Sequence, residues 1–155
     1  MSQSQYQKTL QQALLHRAFR AKPDYAQIAV LLVDDEPAAL DLCTRLLQRI
    51  GFSEIDTAAD GAVAWDKCQA RKYGVVISDW NMPEMTGFDL VRRIRADEKL
   101  LRTPFLMTSV DGGLERARIA RQAGVNAFLI KPFDATMLKG KIHEVLGPLA
   151  MRTAA

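Results

Sequence analysis

Five short strand-like runs, each followed by a longer stretch with helical spacing, constrain this chain more than anything else in it. The runs are 28–33 (IAVLLV), 54–58 (EIDTA), 75–79 (VVISD), 105–109 (FLMTS) and 126–130 (NAFLI). Between them, apolar residues recur at helical intervals, as in Leu40, Leu42, Leu46, Leu47 and Ile50. Start and stop signals flank the helical stretches. Pro37 sits where a first turn tolerates proline, and Gly51 ends that helix. Asp60 and Asp134 are placed to cap the second and fifth helices of the series, the latter expected to end near Leu146. Thr86 with Asp89 has the spacing of a capping box for the third, and Gly112-Gly113 open the fourth. Strictly alternating βα units with apolar strands imply a parallel sheet covered by helices on both faces. Right-handed crossovers then leave a crevice at the C-terminal strand ends, where ligands of doubly wound sheets bind.

Chemistry-bearing residues fall at that edge. Strand one runs into Asp34 and Asp35, strand three ends in Asp79, and strand five runs into Lys131-Pro132. Three carboxylates brought into one crevice repel one another and call for a cation. A hard divalent metal with oxygen ligands and room for a phosphoryl group is the natural occupant. The arrangement points to phosphoryl chemistry on an aspartate.

The 155 residues suffice for one well-packed domain, and 48% hydrophobic with 25% charged residues is an ordinary soluble composition. No apolar run approaches the roughly 20 residues of a membrane span, and the polar opening MSQSQYQKTLQQ is unlike a secretory signal. Cys43 and Cys68 fit no metal or redox spacing, so a cytoplasmic protein with reduced thiols is expected. Residues 1–27 hold four basic side chains (Lys8, Arg17, Arg20, Lys22) against Asp24, which accounts for the whole net charge of +3. The remainder is neutral and does not read as a nucleic-acid binder. Residues 4–20 have helical spacing through Tyr6, Leu10 and Leu14, with Leu15 and Phe19 nearby, before a turn at Lys22-Pro23-Asp24. The chain thus divides into an N-terminal helical extension, 1–25, and a domain at 26–150. The apolar residues of the extension need cover, on the domain or on another copy as a homodimer.

The stretches IAVLLVDDEP, VVISDWNMPEMTGFDLVRRIRA, PFLMTS and NAFLIKPF resemble, in order and spacing, the receiver domain of two-component response regulators. The likeness is to the single-domain, CheY-like members, and it covers about four-fifths of the chain. It implies a flavodoxin-like or CheY-like doubly wound sheet of order 2-1-3-4-5 with an extra N-terminal helix. By this resemblance Asp79 accepts the phosphoryl group. Asp34, Asp35, Asp79 and the backbone carbonyl of Asn81 hold Mg²⁺. Lys131 pairs with Asp79 and then with the phosphoryl oxygens, and its bond to Pro132 is cis. Ser109 is the switch hydroxyl, with Thr108 the competing neighbour on the opposite strand face. Phe128 is the aromatic switch, where many members carry tyrosine. Asn81 and Asp111 tune attack by water and suggest a phosphate lifetime of seconds to minutes. Val110 stands where a small residue is usual and should narrow access to Asp79, slowing labelling by small donors.

The implied function is that of a signalling receiver that catalyses only its own phosphorylation and dephosphorylation. The donor is a histidine kinase or phosphotransfer protein, and the output is a face built from the fourth helix, fifth strand and fifth helix of the βα series, which binds an unidentified target protein. Too few residues follow that helix for a DNA-binding domain. The alternatives are a phosphate sink or relay intermediate, and a binder of a second-messenger nucleotide through Arg116, Arg118 and Arg121. Arg92, Arg93 and Arg95 form a second basic group, on the third helix.

Overall fold

A computed structural model describes residues 2–20 and 24–153. After α1 (Gln3–Arg20) and a single 3-10 turn at Tyr25–Gln27, strands and helices alternate: β1 (Ala29–Val33), α2 (Pro37–Ile50), β2 (Glu54–Ala58), α3 (Gly61–Ala70), β3 (Val75–Asp79), α4 (Gly87–Ala96), β4 (Phe105–Ser109), α5 (Leu114–Gln122), β5 (Ala127–Ile130) and α6 (Ala135–Thr153). The five strands form one parallel sheet in the order β2-β1-β3-β4-β5. The expected doubly wound architecture is present.

Each face of the sheet carries its own core. Val30, Leu32, Val75, Ile77 and Leu106 pack with Leu46 and Leu47 of α2 and with Leu138, Ile142 and Leu146 of α6. The alternate residues Leu31, Val76, Phe105 and Met107 pack with Ala64 of α3, Leu90, Val91 and Ile94 of α4, and Ala120 of α5. Strand periodicity of two explains why neighbouring residues divide between the layers. Burial pushes the Cys43 thiol up to about 12 and the Cys68 thiol up to about 11, so both remain protonated.

The local signals act as expected. Asp60 accepts a hydrogen bond from the Val63 N–H (2.8 Å), and Asp134 accepts one from the Met137 N–H (2.8 Å). Thr86 and Asp89 form both halves of a capping box. Gly51 terminates α2 with φ +128°, a conformation that favours glycine. α6 runs through Gly147-Pro148 to Thr153, past the end expected near Leu146.

The structure refines two readings of the sequence. Arg95 is not a surface cation: its guanidinium donates to the carbonyls of Gly124 (3.0 Å) and Thr103 (2.6 Å) and to Asn126 Oδ1 (2.9 Å), tying α4 to the starts of β4 and β5. Nor does the domain cover the first half of α1. Residues 2–13 are all exposed, with Tyr6 at 61% and Leu10 at 48%. The side chains of Leu14, Leu15 and Phe19, and the turn residues Lys22 and Pro23, lie outside what is described. At the sheet's outer edge, β2 is dressed with charge: Arg71 pairs with Glu54 and Asp56, and the Tyr73 hydroxyl donates to Asp56 Oδ2 (2.7 Å). Among the described residues, no helix is long and apolar enough to cross a membrane.

Candidate functional site

Register delivers the acidic residues to one place. β1 lies between β2 and β3, and Val33 pairs with Ser78, so the residues that follow, Asp34 and Asp79, emerge side by side. Carboxylate oxygens of Asp34, Asp35 and Asp79 lie within 4.8 Å of one another. Asp34 and Asp79 are buried and Asp35 is exposed. Asp34 also accepts the Glu36 N–H (3.0 Å), which holds its carboxylate at the start of α2.

Lys131, at the end of β5 and so two strands from β3 and three from β1, reaches back across the gap. Its Nζ donates to Asp34 Oδ2 at 2.8 Å and lies 3.4 Å from Asp79 Oδ1. The peptide bond to Pro132 is cis. Burial raises the pKa of Asp79 above the ordinary carboxylate range; Lys131 opposes the rise and Asp34 and Asp35 add to it. Burial acts to lower Lys131, but the hydrogen bond and charge of Asp34 and the charge of Asp79 outweigh it, and its pKa is raised. One ammonium against three carboxylates leaves a local excess of negative charge. Carboxylate oxygens in that number suit a hard divalent cation such as Mg²⁺, which keeps several waters and takes few protein ligands.

The hydroxyls at the end of β4 part company. Ser109 is fully buried, and its Oγ accepts the Asp111 N–H (3.1 Å), which ties it to the loop that follows. Thr108 pairs in register with Asp79 and lines a cavity of about 330 Å³ together with Leu32, Cys43, Ile77, Lys131 and Phe133. Val110 also lines that cavity and is 64% exposed. Asp111 is exposed.

Trp80 is a site element that sequence reasoning passed over. Its ring stacks on Phe88 of α4 (5.6 Å between centroids, 13° between planes) and meets the half-buried Phe128 of β5 edge-on (6.2 Å, 82°). The Arg116 guanidinium of α5 lies 4.0 Å from the Trp80 ring centroid. Phe128 is therefore joined to Asp79 through the next residue in the chain. Gly87 is a second omission. Its N–H donates to the Trp80 carbonyl (2.9 Å), and a Cβ there would overlap the Asp79 carbonyl oxygen. Neither residue stands out in a sequence; both matter through contacts between separate segments.

Residues 30–143 match the family described as the response regulator receiver domain. The chain belongs to that family. This receiver is 40% identical to the chemotaxis protein CheY1 of Helicobacter pylori over 119 residues, 76% of this chain and 96% of that one. It is 39% identical to the chemotaxis protein CheY of Pseudomonas aeruginosa over 116 residues, 75% and 94% of the two chains. Among solved structures it resembles Vibrio cholerae chemotaxis protein CheY4, with a TM-score of 0.73 and 36% identity, covering 78% of this receiver and all of that chain. It also resembles the receiver domain of a Pseudomonas aeruginosa sensor histidine kinase solved with a magnesium ion coordinated in the active-site cleft. There the TM-score is 0.70 and the identity 27%, over 77% of this receiver and 98% of that chain.

Proposed function

We propose that this receiver takes a phosphoryl group onto Asp79 from the phosphohistidine of a kinase or phosphotransfer protein. The observation that carries the reading is the convergence of the Asp34, Asp35 and Asp79 carboxylates with Lys131 bridging two of them. An Asp79 carboxylate oxygen attacks phosphorus in line. The phosphorus–nitrogen bond to the donor imidazole breaks, and the ring nitrogen keeps the electron pair. Asp34, Asp35, Asp79 and the Asn81 backbone carbonyl would hold Mg²⁺. When bound, that ion offsets charge on the transferring oxygens. The magnesium in the cleft of the sensor-kinase receiver supports this assignment. Lys131 is placed to follow the charge from the carboxylates to the phosphoryl group.

Ser109 is the switch hydroxyl in this reading. It is already bonded to the loop that would move, whereas Thr108 faces the cavity. Trp80 and Phe128 would pass the change to the face built from α5, β5 and α6, where a target protein binds. A phosphate sink uses the same site and differs only in needing no target. The nucleotide reading fares worse. Arg116 and Arg118 are about 200° apart around a helix; Arg116 turns to Trp80, while Arg118 pairs with Glu115.

The boundary expected at residue 25 falls earlier in this reading, because Tyr25 is buried in the receiver core and stacks on Phe52 (4.7 Å between centroids). α1 is then an extension whose exposed Tyr6 and Leu10 offer a surface for a second copy. Removal of residues 1–22, read by light scattering and thermal melting, tests this; a mass that falls from dimer to monomer supports it.

The decisive experiment on the site is phosphoryl uptake with magnesium present. The parent takes label from a phosphorylated kinase, and Asp79→Asn does not. Equal labelling of the two would end this reading.

A further inference from the structure

Arg116 is more firmly engaged than a solvated arginine needs to be. Its Nη2 donates to the Asn81 side-chain oxygen at 3.2 Å, across 35 residues of sequence. Its guanidinium carbon lies over the Trp80 ring, 4.0 Å from the centroid, and its buried Nε has no hydrogen-bond partner. The guanidinium gives up that bond and lies over the indole instead, an arrangement that cation–π attraction supports. Both of its contacts, Trp80 and Asn81, immediately follow Asp79.

The chemistry of the pair fixes the orientation of the amide. Arginine has donors only, so the atom it meets on Asn81 must be the carbonyl oxygen. That oxygen is the end of the side chain able to accept a hydrogen bond from a water molecule and so aim the water's lone pair at a neighbouring electrophile. With one lone pair engaged and the amide held toward α5, Asn81 is limited in that task.

We propose that Arg116 is a positioning residue that prolongs the phosphorylated state by holding the Asn81 carboxamide against α5. The inference rests on the reading of Asp79 as phosphoryl acceptor. The step it slows is hydrolysis: water oxygen bonds to phosphorus, the bond from phosphorus to the Asp79 oxygen breaks, that oxygen keeps the electron pair, and the water proton passes to solvent. Arg116 touches neither water nor phosphorus. It acts through the freedom of Asn81.

The test is a double-mutant cycle on phosphoryl loss. The full chain and its Arg116→Ala, Asn81→Ala and doubly substituted forms are labelled with acetyl phosphate and magnesium, freed of donor, and followed for release of inorganic phosphate. Arg116→Ala is expected to lose phosphate about fivefold faster, the factor that corresponds to one hydrogen bond of ordinary net strength. In the Asn81→Ala background, removing Arg116 is expected to change nothing. A merely structural role would lower the melting temperature of Arg116→Ala without this dependence on Asn81. An unchanged or longer lifetime in Arg116→Ala, or the same acceleration in both backgrounds, overturns the inference and leaves the acceptor reading standing. A parent that takes no label from acetyl phosphate or from a phosphorylated kinase overturns both.

Discussion

Lys131 and Asp34, 97 residues apart, are joined by a 2.8 Å bond between Nζ and a carboxylate oxygen, and the same Nζ lies 3.4 Å from Asp79. The lysine thus holds two buried acids together. Lys131→Met should destabilise the fold by about 1–3 kcal/mol, less than for a fully buried pair because the lysine keeps some water contact. Magnesium should restore part of the loss by supplying the missing positive charge. Urea unfolding with and without magnesium measures both. The raised pKa of Lys131 sets the pH range: its contribution is complete below the ordinary lysine value and fades as pH rises through the folded one.

Asp79 has the opposite effect on stability. A carboxyl whose pKa is raised by folding favours the native state below its unfolded pKa, and that favour is lost as pH rises through the folded value. In magnesium-free buffer at neutral pH, Asp79→Asn should therefore melt a few degrees above the parent. The gap should close as pH falls from about 7 toward about 4, where carboxyls protonate. Magnesium should raise the melting temperature of the parent more than that of the variant.

Gly87 carries no functional group, yet the site depends on its small size. In Gly87→Ala the new methyl must displace the Asp79 carbonyl, whose oxygen it would overlap, and crowds Met107, whose sulfur would be 2.9 Å away. Overpacking of this kind costs about 1–3 kcal/mol. Labelling should slow as well, because the displaced backbone is that of the acceptor itself. Denaturation and labelling rate should change together.

Ser109 and Thr108 are separable. With beryllofluoride standing in for the phosphoryl group, the amide resonances of α5 and β5 should shift in the parent and in Thr108→Ala. In Ser109→Ala they should stay near their unliganded positions. The reverse pattern would assign the switch to Thr108.

Val110→Ala should be labelled severalfold faster than the parent by acetyl phosphate. The exposed side chain of Val110 shares the cavity wall with Asp34 and Lys131, so trimming it opens that side of the crevice. Equal rates would show that it does not obstruct the donor.

Most of the fold could be read from the sequence, because four of the five strands are short apolar runs and caps or glycines punctuate the helices between them. Strand ends shifted where side chains compete for backbone groups. β5 begins at Ala127 because Asn126 is occupied, its Oδ1 accepting from Phe105 N–H (2.8 Å) and Arg95. α6 outlasts Gly147-Pro148: breaker residues are a weak guide when Leu138, Ile142 and Leu146 anchor the preceding turns in the core. The acidic cluster was legible because strand ends of a parallel sheet must meet. The positions of Arg95, Arg116 and Trp80 were not. Each depends on the rotation of a helix against the sheet, which periodicity alone does not specify.

The two margins of the sheet have a bearing on how copies of this chain can meet. An open margin of N–H and C=O groups is a template on which identical sheets could stack into fibrils. Here β5 offers only four residues, and β2 presents Glu54 and Asp56 already claimed by Arg71. A neighbouring strand would have to settle against that charged, ion-paired edge. Assembly by strand addition is thereby disfavoured, and encounters between copies are left to helical surfaces.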